Sequence, residues 1–213
     1  MNQQPQSNRR GHFWSIILAL IIGLIGTAWS LHHPKQPLAP EDPALPQIGE
    51  GLTIYLLPEN CILATCGGDT LVIDGGSAAF GQTAADFLRG RKVQRIDLLV
   101  SSRPYEGSVG GLPTIVQNFP VKTVWASEAP SGAFADALET AGKTAVVPTE
   151  KDVFRLGDAA ITVVPESDVL FVEYQYGETE GRFAQLQRVT GNDVTVYVSD
   201  GTDTFGLTEP GES

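Results

Sequence analysis

Nineteen consecutive residues without a charge, Phe13–Leu31 (FWSIILALIIGLIGTAWSL), constrain this 213-residue chain more than any other feature. At 1.5 Å per residue such a run matches a hydrocarbon core of about 30 Å. Trp14 and Trp29 stand near its two ends, where interfacial aromatics belong. Arg9 and Arg10 precede it and no basic cluster follows, a pattern that keeps the N-terminus cytoplasmic and the remainder outside. Ala28-Trp29-Ser30 offers small residues for a signal peptidase, but the apolar run is long for a cleaved signal, so an uncleaved anchor is the expectation. The small residues Ala19, Gly23 and Thr27 are read as ordinary membrane composition.

Pro34, Pro37, Pro40, Pro43 and Pro46 recur every third residue after the run. Polyproline II has three residues per turn, so they line one edge of a semi-rigid spacer about 40 Å long at ~3.1 Å per residue. The expected division is therefore a cytoplasmic tip at 1–12, a transmembrane helix at 13–31, a proline-rich linker at 32–50 and a folded domain at 51–213.

Charge narrows the partners. The chain has 14 Lys+Arg against 25 Asp+Glu, and the two arginines before the run leave 12 basic and 25 acidic residues after it, a balance of −13. Neutralising phosphates takes clustered Lys and Arg, so the composition argues against a nucleic-acid surface. Histidine narrows the chemistry. His12, His32 and His33 all precede the folded domain, which has none. That disfavours His-dependent general-base catalysis, His-based metal sites and Ser-His or Cys-His nucleophile pairs.

From Gly51 onward, short apolar runs alternate with turns. LTIYLL (52–57), CILATC (61–66), TLVID (70–74), IDLLVSS (96–102) and VKTVWAS (121–127) read as strands. Helices are expected over Gln82–Arg89 with Ala84, Phe87 and Leu88 inward, near Leu112–Asn118 after a glycine-rich loop, and after Ser131 as cap with Phe134, Leu138 and Ala141 inward. Beyond Gly142 the expectation is strands alone: TAVVP, VFRL, AITVVP, VLFVEYQY, FAQLQRV and VTVYVSD, with Thr190–Asp193 as a hairpin turn. This order suggests an α/β sandwich with mixed sheets and helices outside. Cys61 and Cys66, if on one strand, lie about 16 Å apart at ~3.3 Å per residue and point to opposite faces. A disulfide needs Cα atoms within about 7 Å, so two buried free thiols are expected. Asp86, Glu139 and the Glu178–Glu180 region read as solvated surface, and no motif supports Ser101, Ser102 or Ser108 as part of a Ser-Lys nucleophile.

Five stretches carry a family likeness: Leu71–Gly76 (LVIDGG), Phe87–Val100, Val109-Gly110-Gly111-Leu112, Val153–Asp158 and Tyr197–Asp200. In that order they resemble the metallo-β-lactamase fold over roughly residues 51–201, nearest to the extracytoplasmic domain of the DNA-uptake competence protein ComEC. The resemblance implies an αββα sandwich of degenerate, shortened form, since the chain given ends at Ser213 soon after Asp200. The family's metal motif, His-x-His-x-Asp-His, falls here on Arg103, Tyr105, Gly107 and Ser108, none of which replaces a ligand in kind. Arg103 sets a permanent cation where a dication would bind. The family's bridging aspartate matches Asp200, and a lone carboxylate does not hold Zn²⁺.

Three readings of Arg103 stand beside one another. It pairs with Asp200 near Asp74 in place of a metal; it faces the cleft and binds an anion, with Tyr105 and Ser108 adding donors; or it is a solvated loop arginine. Asp74-Gly75-Gly76 reads as a strand-ending turn. The resulting expectation is a membrane-anchored extracytoplasmic domain without cofactor or catalytic residues, binding an unknown protein or small-molecule ligand at the cell surface. The alternatives are a nuclease-like metal-dependent hydrolase, completed by a partner's ligands, and a DNA-uptake accessory protein, which the charge balance opposes.

Overall fold

The computed structural model describes residues 51–183, 194–199 and 204–206. The chain divides into Met1–Pro40 and Glu41–Ser213, and every described residue belongs to the second unit. The expected anchor at 13–31 and the linker at 32–50 lie outside the described residues. No helix among the described residues is long and apolar enough to cross a membrane.

In chain order the first elements are β1 (Leu52–Leu56), a short 3-10 turn at Pro58–Asn60, β2 (Ile62–Cys66), β3 (Asp69–Ile73) and helix α1 (Gly81–Gly90). Next come β4 (Ile96–Ser101), the single-turn helix α2 (Glu106–Val109), α3 (Leu112–Asn118), β5 (Val121–Ala126) and α4 (Gly132–Thr140). A run of strands follows: β6 (Asp152–Leu156), β7 (Ala159–Glu166), β8 (Val169–Tyr176), β9 (Thr179–Arg182), β10 (Val194–Ser199) and β11 (Thr204–Gly206). They form a seven-stranded sheet in the order β11-β10-β1-β2-β3-β4-β5 and a four-stranded antiparallel sheet, β6-β7-β8-β9.

The apolar runs Leu71–Ile73 in β3 and Leu98–Val100 in β4 follow from burial on both faces. Leu63, Val72 and Leu99 point into a core shared with α1, α3 and α4. Leu71, Leu98 and Val100 point the other way, against Ile161, Val163 and Val172 of the smaller sheet. The helices fit because their apolar residues recur at helical spacing: Ala84, Phe87 and Leu88 on α1, Leu112, Ile115 and Val116 on α3.

The described residues therefore build three layers, helix on sheet on sheet. A second helical layer outside the smaller sheet, which an αββα sandwich requires, is not among them. The outer face of that sheet is written for water. One cross-strand row reads Val153, Thr162, Glu173, Arg182, and the next Arg155, Ala160, Gln175, Glu180. The Arg182 guanidinium bonds Glu173 at 2.7 Å and covers the Phe171 ring at 4.6 Å.

Some local expectations need correction. TAVVP supplies only a bridge, Trp125 to Val146, and leaves Val146 and Val147 exposed. Ala137, not Ala141, completes the buried face of α4, whose last turn ends before Ala141. Ser131 occupies the N-cap position there without a side-chain capping bond. Glu178 and Glu180 are exposed as expected, but the stretch from Thr179 is strand β9, with Thr179 buried. FAQLQRV beyond Phe183 and the Thr190–Asp193 turn lie outside the described residues. Both cysteines are free and buried, Cys61 in the helix-side core and Cys66 in the core between the sheets, on opposite faces as expected.

Candidate functional site

Strand direction decides where a site can lie. β2 is antiparallel to both β1 and β3, while β3, β4 and β5 are mutually parallel and β10 is parallel to β1. Five strands of the large sheet thus end on one edge, at Leu56, Ile73, Ser101, Ala126 and Ser199. In open α/β sheets the crevice outside the carboxyl ends of parallel strands is where ligands bind.

Asp74 follows β3 at that edge. It adopts a left-handed backbone, φ +58°, and is 4% exposed. Its backbone N–H donates to the Val100 carbonyl at 2.8 Å, tying the turn to β4. Its carboxylate is held from the end of the same strand: Oδ1 accepts the Ser102 N–H at 2.7 Å and Oδ2 accepts the Ser102 hydroxyl at 2.6 Å. Burial pushes the carboxyl up to about 6, against the opposing pull of the two Ser102 bonds, the Arg103 charge and the Ser108 hydroxyl. The Cys61 thiol beside it is pushed up by burial and by the Asp74 charge.

The turn carrying Asp74 is clamped by glycines. Gly75 donates to the Ser108 carbonyl at 2.8 Å and Gly111 donates to the Gly76 carbonyl at 2.9 Å. The two loops approach so closely that a Cβ on Gly111 would stand 2.0 Å from the Gly75 oxygen. Only glycine allows that contact. The next two amides receive carboxylates from elsewhere: Ser77 N–H donates to Glu59 Oε2 at 2.7 Å and Ala78 N–H to Glu106 Oε1 at 3.0 Å. Glu59 is drawn below the usual carboxylate range by those Ser77 bonds. Glu59 and Asn60 both sit at positive φ, 56° and 62°, a strained pair placed at the mouth of the cleft.

The cleft has a volume of about 400 Å³ and opens between the two sheets. Leu56, Ile62 and Ile73 form one wall; Leu170, Val172 and Phe183 form the other. Asp74, Ser102 and Arg103 close its polar end, with Glu59 and Asn60 beside them. Ser102 also joins the sheets, since its carbonyl accepts the Leu170 N–H at 2.8 Å.

The residues expected from sequence scatter around this point. Arg103 lines the cleft beside Asp74. Ser108 is buried under the Asp74 turn. Tyr105 faces outward, 58% exposed, its hydroxyl donating to Asp168 at 2.6 Å. Gly107 is exposed and has no side chain to offer. Asp200 lies outside the described residues, and with it the expected pairing to Arg103. Sequence reading passed over Ser102, Glu59 and Glu106. Ser102 carried a usable signal, a polar residue ending an otherwise apolar strand opposite Asp74; the two glutamates carried none.

No protein-family model matches the chain, and no curated protein matches it in sequence. Among solved structures it is similar in part to metallo-β-lactamases. MEM-A1, a subclass B3 metallo-β-lactamase from a soil metagenome library, matches at 18% identity and a TM-score of 0.45, over 62% of this chain and 55% of that one. A mutant of the HARLDQ-motif metallo-β-lactamase of Cronobacter sakazakii matches at 14% and 0.44, over 56% and 53%. A mutant flavo di-iron protein from Thermotoga maritima matches at 20% and 0.40, over 53% and 30%. The chain spans about half the length of the metallo-β-lactamases it matches. The likeness concerns fold alone.

Whether the residues suit a catalytic metal is a matter of donors. Zinc takes nitrogen, thiolate and carboxylate ligands, three of them protein-borne in a hydrolytic site. Among the described residues no three His, Cys, Asp or Glu side chains converge. Both oxygens of Asp74 already accept from Ser102, and a guanidinium stands beside it. The described residues by themselves supply no three-ligand set for the metal; Asp200 lies outside them.

Proposed function

We propose that this chain is a membrane-anchored extracytoplasmic binding domain, with a degenerate metallo-β-lactamase-like fold that holds a ligand cleft in place of a hydrolytic centre. The observation that carries the reading is the commitment of the Asp74 carboxylate to Ser102 with Arg103 alongside. The Ser102 bonds hold this carboxylate in place at the cleft, and the fixed cation next to it raises the cost of bringing in another, which supports a binding role over a metal centre. The anchor rests on the uncharged run at 13–31 and on Arg9 and Arg10 before it. The acidic balance beyond it argues for a ligand that is not nucleic acid.

Elemental analysis of the purified full chain after exposure to Zn²⁺ and Mn²⁺ tests the non-catalytic part; the expected content is well below one equivalent. One or two retained equivalents accompanied by phosphodiester hydrolysis would establish the enzyme instead. Reporter fusions after Ser213 test the topology, with activity expected only from a reporter that works outside the cytoplasm.

A further inference from the structure

The cleft is asymmetric in a way that selects its ligand. Among the described residues its walls are mostly aliphatic and aromatic, and Arg103, beside Asp74, is the one cation that lines it. Arg103 is half-buried there and forms no ion pair among the described residues. The acids around it are otherwise engaged: Asp74 with Ser102, Asp168 with the Tyr105 hydroxyl, Glu59 with the Ser77 amide. Among the described residues nothing engages the guanidinium, whose planar fork of donors has the geometry that grips a carboxylate through two parallel hydrogen bonds. Those same acids ring the polar end with negative charge, so a ligand of one charge is favoured over a phosphate dianion. A volume of about 400 Å³ lies in the range of small-molecule sites, roughly 300–1,000 Å³.

We propose that the cleft binds a small aliphatic carboxylate, its head group on Arg103 and its chain between Ile62 and Ile73 on one side and Leu170 and Val172 on the other. This rests on the reading of the domain as a binding module and specifies its ligand class.

Octanoate is the probe. Equilibrium dialysis against the full chain in lipid nanodiscs, with empty nanodiscs subtracted, measures its binding beside hexanoate and 1-octanol. Octanoate is expected to bind about fifteenfold more tightly than hexanoate, since each of its two extra buried methylenes contributes about fourfold. It is expected to exceed 1-octanol by roughly ten- to a hundredfold, the worth of a charge-assisted pair. Arg103→Gln removes the preference over octanol and keeps the chain-length dependence. Equal binding of octanol and octanoate by the native chain, a preference that survives Arg103→Gln, or no octanoate retention overturns the proposal, and the first comparison does not depend on the variant folding. Metal content of the same sample separates the two levels of inference. A metal-free chain that ignores octanoate refutes the ligand class alone, whereas a metal-loaded chain refutes the binding-module reading whatever octanoate does.

Discussion

Two aspartates are buried at opposite edges of the seven-stranded sheet, and they are stabilised by different means. Asp97, near the start of β4, is 2% exposed and has a counter-charge: Arg95 reaches its Oδ1 at 2.9 Å through Nε and 2.7 Å through the terminal guanidinium nitrogen. It also accepts the Thr70 N–H at 3.1 Å, so it ties β3 to β4. Asp74, at the far end of the same pair of strands, is bonded by a neutral amide and a hydroxyl. Its nearest cation, Arg103, faces the cleft without closing an ion pair on it. A structural carboxylate is neutralised where it sits. Asp74 has no cation bonded to it, and burial raises its pKa.

The largest effect belongs to the backbone that makes the Asp74 end. Gly111→Ala drives a Cβ into the Gly75 oxygen and neither loop can yield without losing the Asp74 turn; a loss of more than about 3 kcal/mol in urea denaturation is expected. A stable, native-like variant would show that the glycine clamp is not what builds this edge.

The two aspartates should then respond oppositely to substitution. For Asp74 the folded-state value is raised, from 3.8 to about 6. The protonated form is favoured by folding, so its contribution is fully present below the unfolded value and is lost as pH rises through the folded one. The native chain should gain roughly 2 kcal/mol as pH falls from 7 to 4, to the extent that other groups do not offset it. Asp74→Asn, which keeps an acceptor for the Ser102 amide and never ionises, should flatten that slope and match or exceed native stability at pH 7.5. A variant with the native slope would remove the argument from Asp74. For Asp97 the same logic predicts damage: Asp97→Ala orphans the Thr70 amide and the Arg95 charge, which is half-exposed and can turn to water, at a cost of about 2 kcal/mol. A neutral outcome would mean that Asp97 is no more than a buried passenger.

How far the sequence foretold these regions follows from what periodicity encodes. The doubly buried strands and the helix-spaced residues Phe87, Leu88, Ile115 and Phe134 were legible because local pattern and tertiary burial agree there. β9 was not, since Thr179-Glu180-Gly181-Arg182 is a strand only through its pairing with β8. At the site, Asp74 and Arg103 were visible as residues at strand ends, yet the turn reading of Asp74 missed its burial and its bonds to Ser102. Those bonds join residues 28 apart, a relation that no local pattern contains. Glu59 and Glu106 escaped for the same reason, each serving an amide in a distant loop.

The state of one carboxyl group separates a binding cleft from a metal centre. Carbon-13 NMR titration of the Asp74 side chain, with and without Zn²⁺, observes it directly. The expected result is a midpoint near 6 that the metal leaves unmoved. A midpoint driven below the ordinary aspartate range on addition of Zn²⁺ would mean that Asp74 leaves Ser102 to coordinate the ion, and the reading of this cleft as a binding site without a metal centre would be wrong.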